Sequence, residues 1–285
     1  MARARKPAVV GWLFSEDLSA VVYFPPGRLE WPGPKPRGGG AADCPAIADL
    51  ARHYYVVRSP VTLSLRCTHF KPGAEFFYDV PPVEGGDKVL GGQTLKRVLT
   101  IMPPSIWENA DYPTLQLNLP YMFVSDESVY VEQCPAFYSP VSTQWPILLY
   151  GGRFPIDVWP RQLNFSFQWI DLQKPILIRR GDPLFYLRFY PADRDRKVQL
   201  VETERTRELE TFMASVRDVT TMVSRSFSLF ARAAQLRPQR LVFPRKPYQA
   251  AVQLEPADHR PGAEPPTDEA SPDPDPQEPG ASASP

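Results

Sequence analysis

Short runs that alternate apolar and polar residues, closed off by proline or glycine, constrain this chain more than any other feature. From Gln162 to Trp169, Leu163, Phe165, Phe167 and Trp169 alternate with Asn164, Ser166 and Gln168. From Thr114 to Val124, Leu115, Leu117 and Leu119 alternate with Gln116 and Asn118. A period of two puts one set on each face of a strand, so both segments read as half-buried strands. Val61, Leu63, Leu65 and Cys67 repeat the pattern against Thr62, Ser64 and Arg66. Further strands are expected at Ala20–Phe24, His53–Arg58, Glu75–Val80 and Leu95–Met102, then at Val129–Glu132, Ile147–Tyr150, Ile176–Arg179, Leu184–Tyr190 and Lys197–Val201. Pro25-Pro26, Pro81-Pro82 and Pro103-Pro104 fall at strand ends, where a missing N–H breaks no ladder. Many short strands with turn signals between them predict a mainly β chain, a β-sandwich of jelly-roll-like type or a barrel. A short helix is expected at Cys44–Arg52, because Pro45 suits a first turn.

The pattern changes at Glu204. From there to Gln235 the chain holds neither glycine nor proline. Leu209, Phe212, Met213, Val216, Val219, Val223, Phe227, Phe230 and Ala234 recur at steps of mostly three and four. That spacing predicts one long C-terminal amphipathic helix over about 204–235, ended before Pro238, with break points at Thr220-Thr221 or Ser224 to Ser228. Its apolar face is expected to pack on the sheet, the alternative being another copy of the chain. Residues 255–285 contain nine prolines, eight acidic residues, one arginine and no aromatic residue. Such a stretch has too little apolar surface to offset the entropy of ordering it, and reads as a disordered Pro/acidic tail. The expected organisation is therefore a β-sandwich domain over 1–254 followed by that tail.

The chain carries 32 basic and 32 acidic residues, but the tail is −7, which leaves +7 on residues 1–254. That surplus is too dilute to indicate a nucleic-acid partner, although a small anionic ligand fits it. No apolar run approaches the roughly 18 residues of a membrane span. The apolar stretch Ala8–Phe14 after the basic Met1–Lys6 is short and lacks a small-residue cleavage site, so no signal peptide is expected. Three cysteines do not make a disulfide framework, and the expected compartment is cytoplasmic.

Catalytic patterns are scarce. His53, His69 and His259 are the histidines, and they cannot supply the usual spacing of an iron facial triad. Cys44, His53, Cys67 and His69 make four zinc ligands on paper, but Cys67 falls on the apolar face of its strand and reads as a buried structural residue. No metal or cofactor is expected. The chain has no nucleophile elbow and no phosphate-cradling glycine loop. The densest segment, Tyr150 to Tyr190, supplies the candidate binding residues Trp159, Arg161, Arg180 and Asp182, and Asp157 as the candidate catalytic base. An arginine fork suits a carboxylate or phosphate, and tryptophan offers a flat apolar wall. The plainer reading of the same residues is tryptophan in the core and charges at turns.

Two resemblances rest on this segment and its surroundings. Cys44-Pro45-Ala46 leading to Val57-Arg58-Ser59-Pro60, the run from Phe154 to Arg161, and the run from Arg180 to Phe189 resemble proteins of marine tailed phages and some bacteria. That resemblance implies a phage-related context and no particular mechanism. Ile156-Asp157 ahead of Arg161, and Ile178 to Asp182 ahead of Leu184–Phe189, are similar to motifs of trimeric dUTPases. That likeness implies Asp157 as the activator of water. The chain departs from it at Pro160, where those enzymes carry the stacking tyrosine, in two extra residues between Gly152 and Ile156, and in lacking a Gly-rich C-terminal arm.

Three function classes follow. The leading one is a non-enzymatic β-sandwich module for binding or assembly, with a protein partner or further copies of itself. The second is a hydrolase of a nucleotide or similar anion, with Asp157 as base and Arg161 or Arg180 on the anion. The third is a metal-dependent oxygenase on a jelly roll, which the histidine count disfavours.

Overall fold

The computed structural model describes residues 6–15, 21–29, 44–85, 88–193, 196–222 and 226–245, and the side chains of these outside 217–227. All of them belong to one unit, Met1–Arg245. The expected tail over 255–285 lies outside the described residues. The chain is mainly β. Its strands are β1 (Ala8–Phe14), β2 (Gly27–Arg28), β3 (Tyr54–Arg58), β4 (Leu63–Lys71), β5 (Glu75–Asp79), β6 (Leu99–Ile101) and β7 (Thr114–Ser125), followed by β8 (Val129–Pro135), β9 (Ile147–Leu149), β10 (Gly152–Pro155), β11 (Gln162–Trp169), β12 (Ile176–Ile178), β13 (Pro183–Pro191) and β14 (Val198–Glu202). The helices are α1 (Pro45–His53), α2 (Gly92–Val98), α3 (Arg207–Met222) and α4 (Ser226–Leu236). Among the described residues no helix is long and apolar enough to cross a membrane.

Three sheets form. One runs β14-β1-β7-β11-β9, with β6 also paired to β7. The second runs β10-β8-β13-β3-β2, and the third β12-β4-β5. The β1–β14 pair is parallel and the other ladders are antiparallel.

Alternation along β7 and β11 explains the core. Leu115, Leu117, Leu119, Tyr121 and Phe123 point to one side of β7, and Leu163, Phe165, Phe167 and Trp169 to the same side of β11. They share one buried cluster with Val131, Phe185, Leu187 and Phe189 of the second sheet and Leu63, Leu65, Ile176 and Ile178 of the third. Rings meet across it: Phe165 stacks on Phe185 at 6.2 Å and Phe123 tilts against Phe189 at 5.3 Å. At one edge Gln133 Nε2 donates to the Asn164 carbonyl at 2.9 Å and ties the first two sheets together.

The other face of β7 changes character along its length. Gln116 and Asn118 are polar, whereas Met122 and Val124 are apolar and buried. The apolar half is where α3 and α4 lie. Leu13, Met122 and Val124 pack with Leu209, Phe212, Val216, Ala233, Leu241 and Val242 in a second cluster. Gly11 sits beneath this layer, and a Cβ there would meet Thr203 and Val124 at 3.1 Å, so only glycine fits without displacing a neighbour.

The expected packing of the C-terminal helical segment on the sheet is therefore observed. In place of one long helix, however, the described residues hold two, α3 and α4, packed on each other, with 223–225 outside the description. Leu236 at the end of α4 shares a shallow pocket with Arg207 and Thr211 of α3, so the second helix folds back. Folding back buries Ala233 against the same cluster that Leu209 and Phe212 enter. Two strand expectations are corrected. Leu95–Met102 is helix up to Val98 and strand only over Leu99–Ile101. Leu95, Val98 and Leu99 are all buried, and their spacing of three and four is a helical one. Residues 21–24 form no strand; Tyr23 packs on Phe14 and Tyr121, and the Phe24 carbonyl accepts the Tyr121 hydroxyl at 2.7 Å.

Truncating a ring that bridges the sheets tests this core. Phe123→Ala is expected to cost about 3–5 kcal/mol, the usual range for a fully buried phenylalanine, measured by urea unfolding. A loss below about 1 kcal/mol would show that the sheets do not depend on one another here.

Candidate functional site

Where the helical layer stops, a cavity of about 640 Å³ opens between α3–α4 and the polar half of the sheet face. That is within the roughly 300–1,000 Å³ range of small-molecule sites. Met122, Met213, Val216 and Leu229 form its apolar wall. Asn118 of β7 and Gln162 and Asn164 of β11 form the polar floor, Arg97 comes from the last turn of α2, and Ser15 from the end of β1. The segment Trp159-Pro160-Arg161, which leads into β11, closes the remaining side.

Trp159 is clamped by its neighbours. Phe154 meets it edge-on at 5.8 Å, Phe230 of α4 lies at 5.2 Å, and the Arg161 guanidinium sits 4.8 Å over its ring. The tryptophan thus aims Arg161, a contact of the cation–π kind. Arg161 is open to solvent at the cavity mouth, yet desolvation by the surrounding walls lowers its pKa. Guanidinium stays charged under such a shift.

Neither Arg97 nor Arg161 forms an ion pair or hydrogen bond among the described residues, and the same holds for the Gln162 and Asn164 side chains. Ser15 Oγ is buried without a hydrogen-bond partner, although the Ser15 amide donates to the Pro120 carbonyl at 2.7 Å. Buried hydroxyls are normally satisfied, and an orphan on a cavity wall points to a missing partner. Among the described residues no Asp, Glu, His or Cys lines the cavity.

The structure therefore brings Trp159 and Arg161 to one site and places the other three sequence candidates elsewhere. Arg180 is spent on backbone: its guanidinium donates to the carbonyls of Val22 (2.9 Å) and Pro60, and it covers the Phe24 ring at 4.6 Å. Asp182 closes the turn before β13, accepting the Arg179 amide at 2.7 Å, with Gly181 at φ 91°, a conformation that favours glycine. Asp157 lies behind the Trp159 segment. Arg237, just after α4, donates to the Asp157 carbonyl at 2.6 Å and to those of Ser125 (3.0 Å) and Asp126 (2.8 Å). The Asp126 carboxylate in turn accepts the amides of Leu241 (2.5 Å) and Val242 (3.0 Å), which fixes the segment after α4 against the β7–β8 turn.

Arg97, Ser15, Asn118 and Asn164 were not singled out from sequence. Asn118 and Asn164 are the polar half of the alternations that defined β7 and β11, and they face each other in register. Among the described residues no three His, Cys, Asp or Glu side chains gather as a metal site. Cys67 is half-buried against the core, and burial pushes its thiol pKa up.

The chain matches no protein-family model and no curated protein sequence.

Asp157 gives a pH test of this geometry. Burial raises its pKa, offset in part by Arg237, and Oδ1 has no hydrogen-bond partner. The native state then holds this proton to higher pH than the unfolded chain. The stabilisation is complete below the ordinary carboxylate pKa of about 4 and is lost as pH rises through the raised value. Asp157→Asn, neutral at every pH, is expected to match the wild type in acid and to exceed it at pH 7 in urea midpoint. A variant weaker at both pH values would contradict the burial account.

Proposed function

We propose that this protein is a non-enzymatic β-sandwich module, jelly-roll-like in topology, that binds a small anionic molecule in the cavity under α3 and α4. The observation that carries this is the pair of arginines, Arg97 and Arg161, lining one cavity with no carboxylate on either among the described residues. A cation without a counter-ion beside an apolar wall gains most from an anion that brings its own apolar surface. The non-enzymatic part is supported by the described lining, in which no acid, base or activated nucleophile stands ready to move a proton. The dUTPase-like and oxygenase readings lack comparable support, since Asp157, Arg180 and Asp182 do not line the cavity with Arg161.

One further feature favours assembly with a protein partner or another copy. On the second sheet Arg153 lies between Tyr130 (4.8 Å) and Tyr190 (4.6 Å), and Arg188 lies over Tyr190 (4.9 Å), with Tyr130 and Phe137 exposed nearby. Tyrosine and arginine are enriched at protein interfaces. In that reading the phage-related context is one of particle or host contact.

A thermal-shift panel of carboxylates, inorganic phosphate and nucleotides tests the anion site. An anion at about 100 times its Kd is expected to add roughly 2.7 kcal/mol of stability. Arg97→Ala and Arg161→Ala should each weaken binding about 10- to 100-fold, the scale of a lost charged hydrogen bond. A panel in which no anion shifts the melting temperature overturns the reading.

A further inference from the structure

Beyond the cavity, the uncovered half of the same sheet face carries a row of side chains already bonded to each other. Ser166 Oγ donates to Gln116 Oε1 at 3.0 Å, Gln116 Nε2 to Asn118 Oδ1 at 2.7 Å, and Asn118 Nδ2 to Thr100 Oγ1 at 3.0 Å. The row crosses β11, β7 and β6 and begins at the cavity floor, where Asn164 stands opposite Asn118. Each amide group has two N–H donors and two acceptor lone pairs. After these bonds, Gln116 and Asn118 each keep one N–H and one lone pair on the amide. Their orientation is fixed by the row, so a ligand does not have to order them.

A hydroxyl donates and accepts at once, and a series of hydroxyls is what a fixed row of such amides matches. Along a strand, residues on one face repeat at about 6.8 Å, and neighbouring strands lie about 4.8 Å apart, which sets a lattice of paired donor and acceptor sites. A nucleobase fits less well. Phe154, Phe230 and Arg161 crowd the Trp159 ring, and the described cavity wall offers no other aromatic side chain for stacking. A polyphosphate fits less well too, because among the described lining residues there is no lysine and no glycine-rich loop to present amides.

We propose that the ligand is an acidic saccharide: its carboxylate lies between Arg97 and Arg161, and its hydroxyls continue along the Asn118–Gln116 row. This deepens the reading of the cavity as an anion site and rests on it. The apolar wall of Met122, Met213 and Leu229 meets the C–H face of the sugar in the cavity. The occupant of the open strip is thus a chain of uronic-acid type, and the sheet face is the platform it lies on.

Calorimetric titration of the full-length protein tests this with two acidic probes, oligogalacturonate and a hyaluronan tetrasaccharide, beside neutral cellotetraose and a deoxynucleoside triphosphate. At least one acidic glycan is expected to bind, with cellotetraose and the methyl-esterified form of the bound glycan at least 10-fold weaker. Arg161→Ala, an exposed change, should weaken the acidic glycan at least 10-fold. Gln116→Ala should weaken an oligosaccharide several-fold and leave the corresponding single uronic acid unaffected, a split that simple destabilisation does not give. Binding of the triphosphate or of phosphate without any acidic glycan overturns the saccharide assignment and leaves the anion site standing. No binding by any anion overturns both. Glycan binding untouched by Arg161→Ala also overturns the proposal, since it places the sugar elsewhere.

Discussion

The buried contact between the sheets is the constraint on which the rest of this molecule depends. β7 and β11 each turn an unbroken row of large apolar side chains toward one side, and Phe165–Phe185 and Phe123–Phe189 close the distance to the second sheet. Burying one such ring contributes roughly 1.5–3 kcal/mol. The register is fixed by the same pattern, because a one-residue slip would send the whole row to the opposite face. With the inner faces committed, the polar residues of β7 and β11 are forced outward. That outward face is where the candidate site lies.

A second constraint decides how much of the outer face is covered. β1 and the later half of β7 are apolar on both sides, so they require a cover, and α3 with α4 supplies it. The cover is held in place by polar contacts at its far end. Arg237 gathers three carbonyls from the β7–β8 turn and the Asp157 segment, and Asp126 receives two amides of the returning chain. The cavity is the margin of that layer, apolar where helix meets sheet and polar where the sheet continues uncovered. Its two arginines come from different elements, one at the end of α2 and one held by Trp159, which is itself wedged by Phe230 of α4. The helix pair therefore shapes the wall and, through Trp159, the direction of one cation.

Much of this is legible in the sequence, for physical reasons that differ by element. β11 and β7 announce themselves because one face is buried and the other wet, the case in which a period of two is clean. The mainly β character follows from them. β1 is harder to read: both of its faces are buried, so Ala8–Phe14 shows no alternation. α2 is misread as strand because Leu95, Val98 and Leu99 alone carry its helical period. The fold-back between α3 and α4 is invisible to periodicity, since each half continues the same apolar spacing. At the site, Trp159 and Arg161 stand out by residue type. Arg97 and Asn118 do not, because nothing local marks an arginine as lacking a partner. Arg180 and Asp182 have equally suitable chemistry, but the turn before β13 uses it on backbone groups. Residue type nominates a binding group, and only the fold shows whether its hydrogen-bonding capacity is already taken.

Arginine footprinting with phenylglyoxal, read by mass spectrometry on the intact full-length chain, tests the claim of a poised cationic cavity most directly. Arg97 and Arg161 should react faster than Arg180 and Arg237, whose donors are held by carbonyls. Oligogalacturonate should then shield Arg97 and Arg161 together. Equal reactivity of all four, or shielding that falls instead on Arg153 and Arg188 of the second sheet, would contradict the account and move the binding surface to the opposite face.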